Sequence, residues 1–375
     1  MQINQLKFVI NYQAIFFLSF LYFIVPFVNL YSSWVGRGDM IFILAISSLL
    51  LIFSLKFSTH FSKKVLWIAL LSFFILLVSF YLHLIIFDKT NIRWIFFFGV
   101  QPFILLSYAL FFKKLVVVDL FSSKYFLYIF IVMSLSTTYD YLALTYFDDP
   151  SMRLFNDSNV SYRFKPLGIF GQFSVNSTYL IFFYLVHIYC SKKSFFNPLL
   201  ILLTASILMQ QSGVGYVLLL LSFLYSIKIE RIRLPNKILG FASIILLIIY
   251  SVFFELSNKL SLNYLSYIFI TLPNEYIGIF INEVRISSLL TGFDNKNLFP
   301  IEITPLFLVS KIGFLYFVFY LFYSFYIYQL IPRGYLKLSM LIMAIGTLHY
   351  PVIFYVAGSF LMPAILLHSI YYYDD

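Results

Sequence analysis

The sequence predicts an all-α polytopic membrane protein, with about 12 transmembrane helices forming a single integral membrane domain over residues 1–375 and two long external loops. Three observations predict it. The chain is 62% hydrophobic and only 11% charged, with a mean hydropathy of +0.94. A soluble domain with so little charge would have a mostly apolar surface, whereas hydrocarbon suits such a chain as solvent. Apolar runs recur that approach the roughly 20 residues a helix needs to cross a bilayer core of about 30 Å. Basic residues also fall on alternate connections between those runs.

The runs lie at 12–30, 40–55, 65–87, 92–112, 125–147, 172–190, 195–209, 213–227, 238–254, 303–330, 336–349 and 352–371. The first, from Tyr12 to Leu30, is long enough to span and lacks a small-residue cleavage site after it, so it reads as a span rather than a cleavable signal. The seventh and eighth are divided by the polar break Gln210-Gln211-Ser212-Gly213, the eleventh and twelfth by His349-Tyr350-Pro351. Even-numbered connections carry Lys56, Lys63 and Lys64; Lys113, Lys114 and Lys124; Lys192 and Lys193; Lys228, Arg231, Arg233 and Lys237; and Arg333 and Lys337. With Lys7, that side holds 15 of the 25 basic residues against four acids and sits near +11. The other side holds ten basic residues and eleven acids, near −1. The positive-inside rule makes the first side cytoplasmic, with both termini, and predicts residence in a bacterial inner membrane.

Several classes are excluded or disfavoured. The net charge of +10 tracks membrane sidedness, so no nucleic-acid partner is expected. The single cysteine, Cys190, rules out a disulfide within the chain and a cysteine-based metal cluster. None of the five histidines is spaced as a helix-borne zinc site, and there is no Walker loop or dinucleotide fingerprint. No metal or cofactor is therefore expected, and the chemistry should be driven by an activated substrate. No internal repeat is visible, which weighs against a transporter built from two related halves.

The polar mass lies outside, in loops 148–171 and 255–302. Within the second, Leu262 to Leu272 is expected to lie along the membrane surface as an amphipathic helix. The first loop brings Arg163, Lys165, Gly168 and Gly171 to the start of a span that contains Asn176. Glycine lets backbone approach a ligand closely, and the guanidinium fork fits phosphate oxygens. The simpler alternative is a set of interfacial anchors snorkelling to headgroups. The second loop holds Arg285, Gly292, Asp294 and Asn295, and ends at Glu302 in the mouth of the tenth span. A carboxylate at that depth is costly unless paired or wet. It serves either as a functional acid or as a partner of Lys311 or Arg285. Gln211 and Ser212 form a polar external hairpin, or else a tight turn between helices. Asp140 either lines the same cavity or pairs with a neighbour.

This layout resembles the O-antigen and capsular polysaccharide polymerase (Wzy-type) family, related to the O-antigen ligases. The resemblance covers most of the chain and is specific in three places. Arg163 to Asn176 is similar to the family's Arg…Gly…Gly…Asn stretch leading into a span. Gln211-Ser212-Gly213 is similar to its short polar hairpin, though many members carry a basic residue there that this chain lacks. Leu290-Thr-Gly292-Phe-Asp294-Asn295 through Glu302, then Leu308-Val-Ser-Lys311-Ile312-Gly313-Phe-Leu, is similar to its third conserved segment. The ligases usually carry a histidine near Glu302, and its absence here favours polymerase.

The resemblance implies a C-type membrane glycosyltransferase fold. It implies polymerisation of undecaprenyl-diphosphate-linked oligosaccharide repeat units into O-antigen (lipopolysaccharide) or capsule at the outer leaflet. The implied catalytic residues are Glu302, Arg285 and Arg163. Lys165, Gly168, Gly171, Asn176, Gln211, Ser212, Gly292, Asp294 and Asn295 would bind substrate. Besides the lipid bilayer and the lipid-linked oligosaccharide, the implied partners are a chain-length regulator and a flippase. An O-antigen ligase and a lipid-linked oligosaccharide flippase or transporter are the alternatives.

Overall fold

In this computed structural model the described residues are 123–149, 165–169, 172–230, 270–285, 291–293, 303–331, 333–350 and 352–354, with isolated positions elsewhere. The spans expected over 12–30, 40–55 and 92–112 lie outside them, as does most of 65–87, 238–254 and 352–371. Among the described residues every regular element is helical and there is no strand. The helices are α1 (Ser123–Tyr146), α2 (Phe173–Ser191), α3 (Leu199–Gln210), α4 (Gly213–Ile229), α5 (Leu272–Glu283), α6 (Thr304–Ile312), α7 (Phe314–Leu330) and α8 (Tyr335–His349). A short 3-10 turn, Val352–Phe354, follows α8. Two helices are long and apolar enough to cross a membrane, α1 over Phe126–Tyr146 and α2.

The centre of the bundle is α2. Its residues from Ser174 to Ile188 are all buried, as expected of a helix apolar on every side. It packs against α1, α3, α4 and α8. Small residues let two of those neighbours come close. A Cβ on Gly346 of α8 would fall 2.6 Å from Thr178 Cγ2, and one on Gly215 of α4 would fall 2.8 Å from Ser177 Cβ. Close backbone approach at small residues is a common way for helices to pack in apolar surroundings. Gly346→Val should therefore push α8 off α2 and cost about 1–3 kcal/mol of overpacking strain. Thermal unfolding of the detergent-purified protein checks this, and an unchanged midpoint would contradict the packing.

The boundaries follow from capping. The side chain of Gln172 accepts the Val175 N–H at the start of α2, and Lys192 closes its end in the left-handed conformation. Gln211, also left-handed with φ 52°, ends α3, and the next residue, Ser212, caps α4 by accepting the Gly215 N–H. The chain therefore reverses between α3 and α4 within two residues.

Two features differ from expectation. The seventh run begins at Leu199, because Phe195 and Phe196 pack into a turn beside Tyr184 and Phe223. The resulting 12-residue helix is about 18 Å long, short of a full bilayer core. The tenth run, expected as one helix over 303–330, is two: Gly313, at φ 88° and ψ 160°, ends α6 and starts α7. In the second loop a helix runs over Leu272–Glu283, with Pro273 in its first turn, while most of the stretch from Leu262 where a surface helix is expected lies outside the described residues.

Candidate functional site

Polar contacts gather at the two ends of the α1–α4 and α8 bundle. At one end Glu230, which closes α4, accepts from Ser194 Oγ at 2.6 Å, from the Phe195 N–H at 2.7 Å and from the Tyr335 hydroxyl. The Tyr184 hydroxyl donates to the Phe195 carbonyl, and Asn197 Nδ2 donates to the Tyr184 oxygen. The turn between α2 and α3 and the start of α8 are thus tied to one carboxylate.

The other end holds the residues singled out above. Asp140, fully buried on α1, accepts the backbone N–H groups of Leu167 and Gly168 at 3.2 and 2.9 Å through the same oxygen. This carboxylate fixes the segment leading into α2. Gly168 adopts φ +64°, a left-handed conformation that favours glycine. A Cβ there would lie 2.3 Å from Asn176 Nδ2, so the backbone rests directly on that amide. Asn176 Nδ2 donates to Thr137 Oγ1 at 3.0 Å, and Gln210 Nε2 donates to the same oxygen at 3.0 Å. Helices α1, α2 and α3 therefore meet at one hydroxyl.

Above this layer Lys165 Nζ lies 3.5 Å from the Gln211 carbonyl and 4.7 Å from the centre of the Phe173 ring. It thus reaches from the first loop to both the α3–α4 turn and the start of α2. The two helix starts are close, with Ser212 Oγ donating to Ser174 Oγ at 3.4 Å. The first N–H groups of a helix have no partner within it and carry its positive pole. Two such poles and an ammonium group meet here. Gly213, the first residue of α4, is exposed, and a Cβ on it would meet nothing within 4 Å. Chemically, this is a mouth suited to an anion.

The second-loop residues stand elsewhere. The Phe293 N–H donates to the Ser310 carbonyl at 2.7 Å, a group freed by the helix break at Gly313. Gly292, at φ +80°, lies so close that a Cβ would fall 2.3 Å from that carbonyl oxygen. Phe280 of α5 packs edge-on to Phe293 at 5.5 Å, linking α5 to α6. Lys311 is buried in α6 with its Nζ 5.8 Å from the centre of the Phe307 ring.

The structure thus brings together Lys165, Gly168, Asn176, Gln211 and Ser212, around Asp140. Arg285 is exposed just beyond α5, and Gly292, in the second loop, packs against the end of α6. Arg163, Gly171, Asp294, Asn295 and Glu302 lie outside the described residues. Among the described residues no group of three His, Cys, Asp or Glu side chains is placed to hold a metal ion. Thr137, Gln172, Ser174 and Gln210 belong to the site's framework and were not singled out individually from the sequence. Their signal was present as polar side chains within apolar runs, where each needs a partner.

No family model matches the chain, and neither the curated proteins nor the solved structures include a match.

Proposed function

We propose that the chain is an integral membrane glycosyltransferase that polymerises undecaprenyl-diphosphate-linked oligosaccharide repeat units at the outer face of a bacterial inner membrane. The observation that carries this reading is the convergence of Lys165 with the starts of α2 and α4. A diphosphate leaving group needs cations and oriented N–H dipoles as charge develops on its oxygens. The rest of the reading comes from the resemblance set out above. The growing chain is the donor. A hydroxyl of the incoming unit attacks its anomeric carbon, the carbon–oxygen bond to diphosphate breaks, and the proton passes to Glu302. Undecaprenyl diphosphate leaves. Arg163 and Arg285 grip diphosphate oxygens as bidentate forks, Asp294 and Asn295 contact sugar, and Asp140, Gly168 and Asn176 hold the first loop in place.

Topology belongs to the same reading: twelve spans, both termini cytoplasmic, and the Lys165 end of the bundle external. Its charge split of +11 against −1 is the support. In a background with Cys190 replaced, a cysteine at Ser158 should react with an impermeant reagent added from outside. Labelling only after access from the cytoplasmic side would reverse the orientation.

Lys165→Ala should weaken polymerisation roughly 10- to 150-fold, the equivalent of one charge-assisted contact of about 1.5–3 kcal/mol. Polymer length and yield at matched protein level measure it, and normal polymer would remove Lys165 from the diphosphate site. Deleting the gene tests the function as a whole. A surface-polysaccharide ladder that collapses to single repeat units means polymerase. Loss of every surface unit means flippase or ligase and refutes the proposal.

A further inference from the structure

Beneath the loop held by Asp140, the junction of α1, α2 and α3 has a hydrogen-bond deficit. Thr137, Asn176 and Gln210 are fully buried. The Thr137 oxygen accepts from Asn176 Nδ2 and Gln210 Nε2, and its hydrogen goes to the Met133 carbonyl at 3.0 Å. One hydrogen and two lone pairs are then fully used. Asn176 Oδ1 and Gln210 Oε1 remain as buried acceptors to which no group among the described residues donates. Ser134 Oγ, one turn back on the same face of α1, is also without a partner.

Exchanging oxygen and nitrogen in one carboxamide still leaves the other amide oxygen without a donor from Thr137. The hydroxyl has a single hydrogen, so it can satisfy at most one of the two amide oxygens. In an apolar interior an unmet acceptor keeps its full desolvation penalty, which a water molecule would relieve. We infer that Asn176 Oδ1 and Gln210 Oε1 bind one ordered water molecule between α2 and α3. Its chemistry follows from the deficit: two donor hydrogens for two carbonyl oxygens, with a lone pair left for a hydroxyl such as that of Ser134. The complete burial of all three side chains leaves no access for a sugar or a headgroup. Two to four polar partners are what a buried water requires. The inference is independent of the proposed enzymatic activity.

The test is a structure of the full chain in lipid nanodiscs at a resolution that shows ordered water. Density within hydrogen-bond distance of both amide oxygens is the expected result. Density touching neither, or only one, overturns the inference. Thermal unfolding separates water from a cation, because amide oxygens also bind sodium. The unfolding midpoint should be the same in sodium and in potassium at equal ionic strength. A rise specific to sodium that disappears in Gln210→Met would identify a cation site and overturn the water.

Discussion

Glu302→Gln should lower the rate of polymerisation by about 10²–10⁴-fold, with the amount of folded protein unchanged. The substitution keeps size and hydrogen bonding but removes the basic oxygen that, in the proposed mechanism, takes the proton of the attacking hydroxyl. Glu302 directly precedes Ile303, which caps α6, and Pro305 sits in the first turn of that helix. Phe293, at the other end of the intervening loop, is fastened to Ser310 near the end of α6. The two described residues that flank this loop, Phe293 and Ile303, are therefore both held to α6. A base needs such anchoring if it is to meet a hydroxyl within hydrogen-bond reach. If Glu302 were only a partner for a cation, Glu302→Gln would show reduced abundance or detergent stability, with activity per folded molecule preserved. Normal specific activity would refute the base role and leave cation positioning as the main source of catalysis.

Asp140→Ala should reduce polymerisation at least about 100-fold, because it strips the acceptor from two buried N–H groups at once. Each such charge-assisted bond is worth about 1.5–3 kcal/mol. Residues 165–169 would lose their seat on Asn176, and Lys165 would lose its place over the two helix starts. Asp140→Asn should be far milder, near tenfold. Both N–H groups bond the same carboxylate oxygen, and an amide oxygen has two lone pairs with which to accept them. The pair of variants separates positioning from proton transfer. A positioning residue tolerates asparagine better than alanine, whereas a base loses as much with either. Polymer formed per unit of folded protein, in membranes from each strain, is the measurement. Equal losses in both would move the base role from Glu302 to Asp140.

Much of the helical framework was legible in the sequence. Apolar runs at 125–147, 172–190, 213–227 and 336–349 correspond closely to α1, α2, α4 and α8, because length and hydropathy suffice to mark such helices. The break at Gly313 was not legible. The run from Thr304 to Leu330 carries no charge apart from Lys311, and hydropathy does not register a glycine adopting φ 88°. The early turn at 195–198 was hidden for the opposite reason. Two phenylalanines that read as span are used to pack a turn around Tyr184 and the Glu230 cluster. The site was legible as a list and not as a geometry. Lys165, Gly168, Asn176, Gln211 and Ser212 were identified from residue type and local spacing, yet what joins them is Thr137 and Asp140 on a different helix. Thr137 lies 39 residues from Asn176 and 73 from Gln210 along the chain, and no local pattern encodes such a junction. Asp140 was visible as an acid near a span end, but its choice between lining a cavity and holding a neighbour depends on where Leu167 and Gly168 fold.

Membranes carrying only this chain, supplied with lipid-linked repeat units extracted from the deletion strain, test the central claim most directly. The products are resolved by size, and free undecaprenyl diphosphate is measured alongside. Polymerisation predicts a ladder of two or more repeat units that grows with time, with one undecaprenyl diphosphate released per linkage and no product when Glu302→Gln protein is used. Single repeat units that stay single, or that only change leaflet without release of undecaprenyl diphosphate, would contradict it.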